Sequence, residues 1–118
     1  MTTGAEIHYA SAAVVRRYSD ANELFGAERA ILDIVQDDLP QWRMLDLGVG
    51  VGRTTLHFAP LVREYVGADL SPAMIEACRA RFSGQSWPHV GFRICDARSM
   101  PEFEDGSFDF VLFSLSIF

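Results

Sequence analysis

The chain has 118 residues, 49% of them apolar, which suits one domain with a real hydrophobic core. A formal net charge of −6 disfavours nonspecific nucleic-acid binding. The one apolar run near the N-terminus, Ala10 to Val15 around Ser11, is closed by Arg16-Arg17 and is too short for a signal peptide or membrane span, which predicts a soluble, cytoplasmic protein.

In chain order, the first predicted element is a helix over roughly Ala21 to Asp38. Met44, Leu45 and Leu47 then suit a buried strand, with Asp46 near its C-terminal end. Gly48, Gly50 and Gly52 follow, where the missing Cβ lets the backbone turn sharply and approach a ligand. Arg53-Thr54-Thr55-Leu56-His57-Phe58 reads as the first turns of a helix, and Arg53 is expected to be solvated. A glycine turn between a strand and a helix N-terminus suits a nucleotide-like or anionic group. The dinucleotide fingerprint needs a small residue three places after its second glycine. Here that place is Arg53 or Thr55, depending on the glycine counted, so the spacing is G-x-G-x-G preceded by an acid.

Glu64-Tyr65-Val66-Gly67-Ala68-Asp69 predicts a second strand, again ending in an acid, about twenty residues past the first glycine, where nucleotide-binding α/β units place a ribose-binding carboxylate. Ser71 is a good N-cap, Pro72 suits the first helical position, and the helix runs from Pro72 to Phe82. Met74, Cys78 and Phe82 recur on its inner face, with Glu76, Arg79 and Arg81 left for solvent. A third strand, Val90 to Cys95, leads into Asp96-Ala97, and a fourth, Phe108 to Ser114, follows an Asp105-Gly106 turn. The connection between them, with Pro101 and Gly106, reads mostly as loop. Asp46, Asp69 and Asp96 therefore fall at successive strand ends, which a parallel sheet gathers at one edge.

Those segments resemble the class I S-adenosylmethionine-dependent methyltransferases from about Asp20 onward. Leu45 to Arg53 is similar to the family's first motif, Gly67 to Met74 to its second, Cys95-Asp96-Ala97 to its third, and Phe108 to Val111 to the strand of its fourth. Val49 and Val51 stand where relatives often carry small or polar residues, and both side chains can point away from a ligand. The resemblance implies an α/β fold, a Rossmann-like doubly wound parallel sheet, truncated after the fourth strand. Residues 1–19 would be an N-terminal segment and 20–118 a partial S-adenosylmethionine-binding domain. Gly48 and Gly50 would pass close to the methionyl part of the cofactor, with Asp46 holding its ammonium directly or through water. Asp69 would hold the ribose hydroxyls, Leu70 would lie against adenine, and Asp96 with the Ala97 N–H would meet the adenine edge. Ser114 would line the methionyl end, and the Tyr18 region would help to cover the cofactor.

The resemblance also implies that three helices cover one face of the sheet, leaving the other barely covered and the apolar fourth strand as an open edge for self-association. The acceptor is expected to be a small molecule, and no residue stands out as a general base. A nicotinamide-dependent oxidoreductase and a cofactor-binding module without catalysis remain as alternatives. Cys78 and Cys95 lack C-x-x-C spacing and are expected as free buried thiols. His8, His57 and His89 make no metal pattern with them, and His57 is expected in a packing or surface role.

Overall fold

A computed structural model describes residues 24–96, 98 and 106–113. Within them α1 spans Gly26–Val35, a 3-10 turn Leu39–Gln41, β1 Arg43–Leu47, α2 Thr55–Phe58 and β2 Glu64–Asp69. They are followed by α3 over Pro72–Arg81, β3 over Val90–Ile94 and β4 over Phe110–Phe113. All strand pairs are parallel, in the order β3-β2-β1-β4. The chain thus winds outward from β1 through β2 to β3, then returns to the other side of β1. That reversal puts the topological switch point between β1 and β4, at the end of the sheet where the glycine turn begins.

The boundaries follow from local chemistry. In α1 the Glu28 carboxylate reaches back to accept the Phe25 N–H at 2.9 Å, satisfying one of the donors that a helix start leaves open. The helix stops at Val35, short of the expected Asp38, because Pro40 has no N–H to extend an α-ladder and the chain tightens into the 3-10 turn. The α2 helix is a single turn, shorter than the sequence suggested, with Pro60 directly after its C-cap, Ala59. Ser71 does cap α3, its hydroxyl accepting the Met74 N–H at 3.4 Å, and Pro72 opens the helix.

At the far end of the sheet, β4 starts at Phe110, two residues later than expected. Asp109 instead turns its carboxylate onto the Arg43 N–H at 2.8 Å, and the Arg43 guanidinium lies over the Phe108 ring, 5.0 Å from its centroid. The same guanidinium pairs with Glu64 at 3.0 Å, so one arginine fastens the starts of β1, β2 and β4 together.

Strand alternation sorts the core into two faces. Met44, Tyr65, Phe92 and Leu112 face the helices, where they pack with Leu32 of α1, Phe58 of α2, and Ile75 and Cys78 of α3. Leu45, Leu47 and Ala68 point the other way and cluster with Cys95. Those four are buried, so the expectation of a barely covered second face fails at the centre of the sheet. It holds at the β4 margin, where Val111 is 52% and Phe113 53% exposed, and where β4 pairs only with β1 among the described residues.

Gly67 shapes the helix-facing layer from within β2. A Cβ there would come 2.7 Å from Cδ1 of Phe92 and 3.3 Å from Cε1 of Tyr65. The glycine therefore makes room for two rings that meet edge to face, with centroids 6.2 Å apart. Gly67→Ala is expected to cost about 1–3 kcal/mol in urea unfolding through overpacking. Gly26→Ala, where a Cβ meets nothing within 4 Å, should be neutral or slightly stabilising in the same measurement.

Candidate functional site

The turn after β1 depends on its glycines. Gly48, Gly50 and Gly52 adopt φ values of 71°, 60° and 96°, a region that side chains with a Cβ resist. Gly52 has a second reason: a Cβ there would come 2.3 Å from Cε2 of the buried Phe82.

Nearly every group of the turn is tied down. The N–H groups of Gly48 and Val49 both donate to the Ala68 carbonyl, at 2.8 and 3.1 Å. That of Gly50 donates to Oδ2 of Asp69 at 2.9 Å, and that of Gly52 to the Val49 carbonyl at 3.1 Å. On the carbonyl side, the Cys78 thiol donates to Gly50 O at 3.1 Å and the Arg81 guanidinium to Val51 O at 3.2 Å. Val49 and Val51 are buried, as the sequence allowed.

Asp69, the last residue of β2, bridges two loops. Oδ2 takes the Gly50 N–H, and Oδ1 takes the Ser71 N–H at 3.0 Å. Burial pushes its carboxyl above the ordinary value, against the opposing pull of the Ser71, Gly50 and Leu70 amides. Leu70, next in the chain, is 46% exposed and presents apolar surface beside this carboxylate. The sheet brings the third acid to the same edge: Ile94 pairs with Asp69, the Cys95 N–H donates to Asp69 O at 2.9 Å, and Asp96 follows. The Asp96 carboxylate is held by Arg98, at 2.7 Å from Nη2 and 2.9 Å from the backbone N–H, and these contacts lower its carboxyl to about 2.

Asp46 is fully buried at the base of the turn. The chain leaves β1, passes through the glycines and returns so that Thr54 Oγ1 donates to Asp46 Oδ2 at 2.5 Å. The Tyr65 hydroxyl donates to the same oxygen at 2.6 Å and lies 2.6 Å from Thr55 Oγ1. Oδ1 is buried with no hydrogen-bond partner. Desolvation raises the Asp46 carboxyl to about 6, although the Thr54 and Tyr65 hydroxyls favour its charged form.

Of the residues expected to form a site, Gly48, Gly50, Asp69, Leu70 and Asp96 thus share one edge of the sheet, with Asp46 beneath it. Ala97, Ser114 and Tyr18 lie outside the described residues. Arg53 corrects the sequence reading. It is 5% exposed rather than solvated, with Nη1 and Nη2 at 2.5 and 2.8 Å from the two oxygens of buried Glu28 and its guanidinium 4.0 Å from the centroid of the Phe25 ring. Arg81, also assigned to solvent, is half-buried against the turn. Thr54, Tyr65 and Glu28 were not foreseen. Their only trace in the sequence is that Tyr65 shares strand parity with Asp69 and that an acid lies in the helix preceding β1.

Cys78 and Cys95 are free buried thiols, as expected. His57 is half-buried on α2, and His89 Nε2 lies 2.6 Å from the Ala59 carbonyl. No group of metal-binding side chains occurs among the described residues, and no helix among them is long and apolar enough to cross a membrane.

The sequence model of a methyltransferase domain family matches residues 44–118. An uncharacterized methyltransferase, YcgJ of Bacillus subtilis, is 38% identical over 69 residues, covering 58% of this chain and 27% of its own length. A demethylmenaquinone methyltransferase of Clavibacter sepedonicus is 37% identical over 75 residues, covering 64% of this chain and 29% of its own. Among solved structures, YcgJ superimposes with a TM-score of 0.65 at 29% identity, over 75% of this chain and 38% of that one. The methyltransferase CalH, in complex with SAH, gives 0.65 at 26% identity, over 86% of this chain and 31% of that one. The chain spans under a third of the length of those two curated relatives.

Two outcomes test the buried charges. Arg53→Met, which takes the guanidinium away from buried Glu28, should cost about 3–5 kcal/mol in chemical denaturation, and the apolar double variant Glu28→Leu/Arg53→Met should cost less. Asp46 keeps a proton in the fold that the unfolded chain, at about 3.8, has already released. Its contribution is full below pH 4 and is lost as pH rises through about 6, a change of about 3 kcal/mol that Asp46→Asn should flatten in unfolding measured across that window.

Proposed function

The chain belongs to the methyltransferase domain family, and we propose that it binds S-adenosylmethionine at the glycine turn and transfers the methyl group to a small-molecule acceptor. The observation that carries this reading is how the turn's amides are used. A diphosphate seated on a glycine turn needs N–H groups directed at it. Here the amides of Gly48, Val49, Gly50 and Gly52 are all consumed within the protein. A one-turn α2 adds little dipole, and the arginines near the site are engaged by protein acceptors, Arg81 by the Val51 carbonyl and Arg98 by Asp96. Such a site suits a ligand with hydroxyls and positive charge, and opposes a dinucleotide.

S-adenosylmethionine meets that description, and the residues present fit it. Asp69 retains acceptor capacity beyond its contacts with the Gly50, Ser71 and Leu70 amides, which suits ribose hydroxyls. Leu70 supplies exposed apolar surface for adenine, and Asp96, just past β3, is proposed to meet the adenine edge together with the Ala97 N–H, as the sequence resemblance implies. Arg98 on Asp96 is an exposed neighbour that an adenine amino group can displace or share. Gly48 and Gly50 allow close approach of the methionyl part, and Ser114 is proposed to line the same end, as the sequence resemblance implies. The unpartnered Oδ1 of Asp46 is the remaining acceptor, suited to an ammonium directly or through water.

When bound, the cofactor supplies a methyl group activated by its sulfonium. The chain's share is orientation and exclusion of water by a turn already fixed at both faces. A general base is needed only where the acceptor is a weak nucleophile such as a hydroxyl, and no described side chain is assigned that role.

Calorimetric titration with S-adenosylhomocysteine should give saturable binding where NAD gives none, and Asp69→Ala should weaken it at least tenfold. Tight NAD binding without S-adenosylhomocysteine binding would overturn the reading in favour of an oxidoreductase. Transfer of labelled methyl from the cofactor to a small-molecule fraction is expected; its absence despite binding would leave a cofactor-binding module.

A further inference from the structure

Among the described residues one glycine has no role in holding the fold. Gly48, Gly50, Gly52, Gly84 and Gly106 adopt positive φ, Gly67 makes room for two rings, and Gly26 opens α1. Gly91 lies inside β3 without positive φ, and a Cβ there would meet nothing within 4 Å. The register around it is unbroken, pairing Tyr65 with Val90, Val66 with Gly91 and Gly67 with Phe92, so no bulge calls for it. A glycine inside a strand gives up side-chain packing. It commonly marks a place where a ligand comes close to the backbone.

Gly91 lines an open cavity of about 560 Å³, a size that takes small ligands. Val66, its partner on β2, packs on the Leu45 cluster, so the two positions form an apolar strip on the face turned away from the helices. Arg63, His89 and Arg93 also line the cavity, against one acid, Glu64. Both oxygens of Glu64 are taken by the Arg43 guanidinium, at 3.0 and 3.2 Å. No carboxylate pairs with the exposed Arg63 guanidinium among the described residues. The rim is fixed at His89, whose Nε2 lies 2.6 Å from the Ala59 carbonyl and whose own carbonyl accepts the Tyr65 N–H at 3.0 Å.

We propose that this cavity binds a small aromatic carboxylate, its ring laid over the Gly91 backbone and its carboxylate met by Arg63. An aromatic ring is the group that sheets themselves lay over an edge glycine, and β3 pairs only with β2 among the described residues. A guanidinium fork matches the two oxygens of a carboxylate. The site is separate from the cofactor edge, because Val66 precedes Asp69 by three residues, about 10 Å along the strand.

The test is an NMR titration of the nitrogen-labelled full chain with cinnamate. The Val66, Gly91 and Arg93 amides should shift saturably, with a dissociation constant of about 1 mM for a ligand of that size. Cinnamamide keeps the shape without the charge and should bind at least fivefold more weakly, a difference that Arg63→Gln should erase. Gly91→Val places a side chain in open space on an ordinary strand backbone, so circular dichroism should be unchanged while cinnamate binding is lost. If that variant does not fold, Gly91→Ala should still weaken binding. Excess S-adenosylhomocysteine should leave the shifts in place. Absence of saturable binding, equal binding of cinnamamide, or binding that survives both glycine variants overturns the proposal. Displacement by S-adenosylhomocysteine overturns it too, by putting the ring at the cofactor edge. So does self-association without cinnamate that Gly91→Val abolishes, because the glycine then serves a contact between copies.

Discussion

A backbone that reverses between a strand and a helix must find partners for amides that neither element satisfies. In this chain the neighbouring strand supplies them. The Ala68 carbonyl takes the N–H groups of Gly48 and Val49, and the Asp69 carboxylate takes that of Gly50. The end of β2 thereby holds the turn after β1, and the two strands must stay in register for the turn to keep its shape. That register also aligns Asp69 with Ile94, which brings β3 and Asp96 to the same edge. The site geometry descends from this one set of contacts between β2 and the glycines.

A second layer of support comes from α3 and the residue that caps its C-terminus: Cys78, Arg81 and Phe82 meet Gly50, Val51 and Gly52 in turn. The helix is positioned by its own cap at Ser71, and Ser71 is fixed through Asp69. One carboxylate thus coordinates the turn above it and the helix that braces the turn from the side. Its limited exposure is the price of that double engagement, and its remaining acceptor capacity is what a ligand can use.

The strand-ending acids and the alternating glycines were legible because each obeys a local rule: period-two apolar residues, a missing Cβ, an N-cap before proline. These gave the parallel strands, the glycine turn and the common edge shared by Asp69 and Asp96. What local rules did not reveal were pairings across the sequence. Arg53 looked like a solvated residue in a polar turn because nothing near it announces Glu28, 25 positions earlier in α1. Tyr65 looked like an ordinary strand aromatic, although its hydroxyl reaches Asp46 from 19 positions away. Gly67 gave no sign that it makes room for that reach. Element lengths slipped for a different reason, since Pro40 and Pro60 end helices that periodicity alone would have extended.

The contact between Gly52 and Phe82 constrains how this sequence can change over evolutionary time. Enlarging Gly52 first drives a methyl group into the ring, and shrinking Phe82 first opens a hole under the turn. Neither single step passes through a well-packed intermediate. Replacing both at once would restore volume but still leave a side chain at φ 96°. The pair is therefore locked from two directions, by space and by backbone angle, so a lineage that drifts elsewhere in the core has no gradual route to altering it.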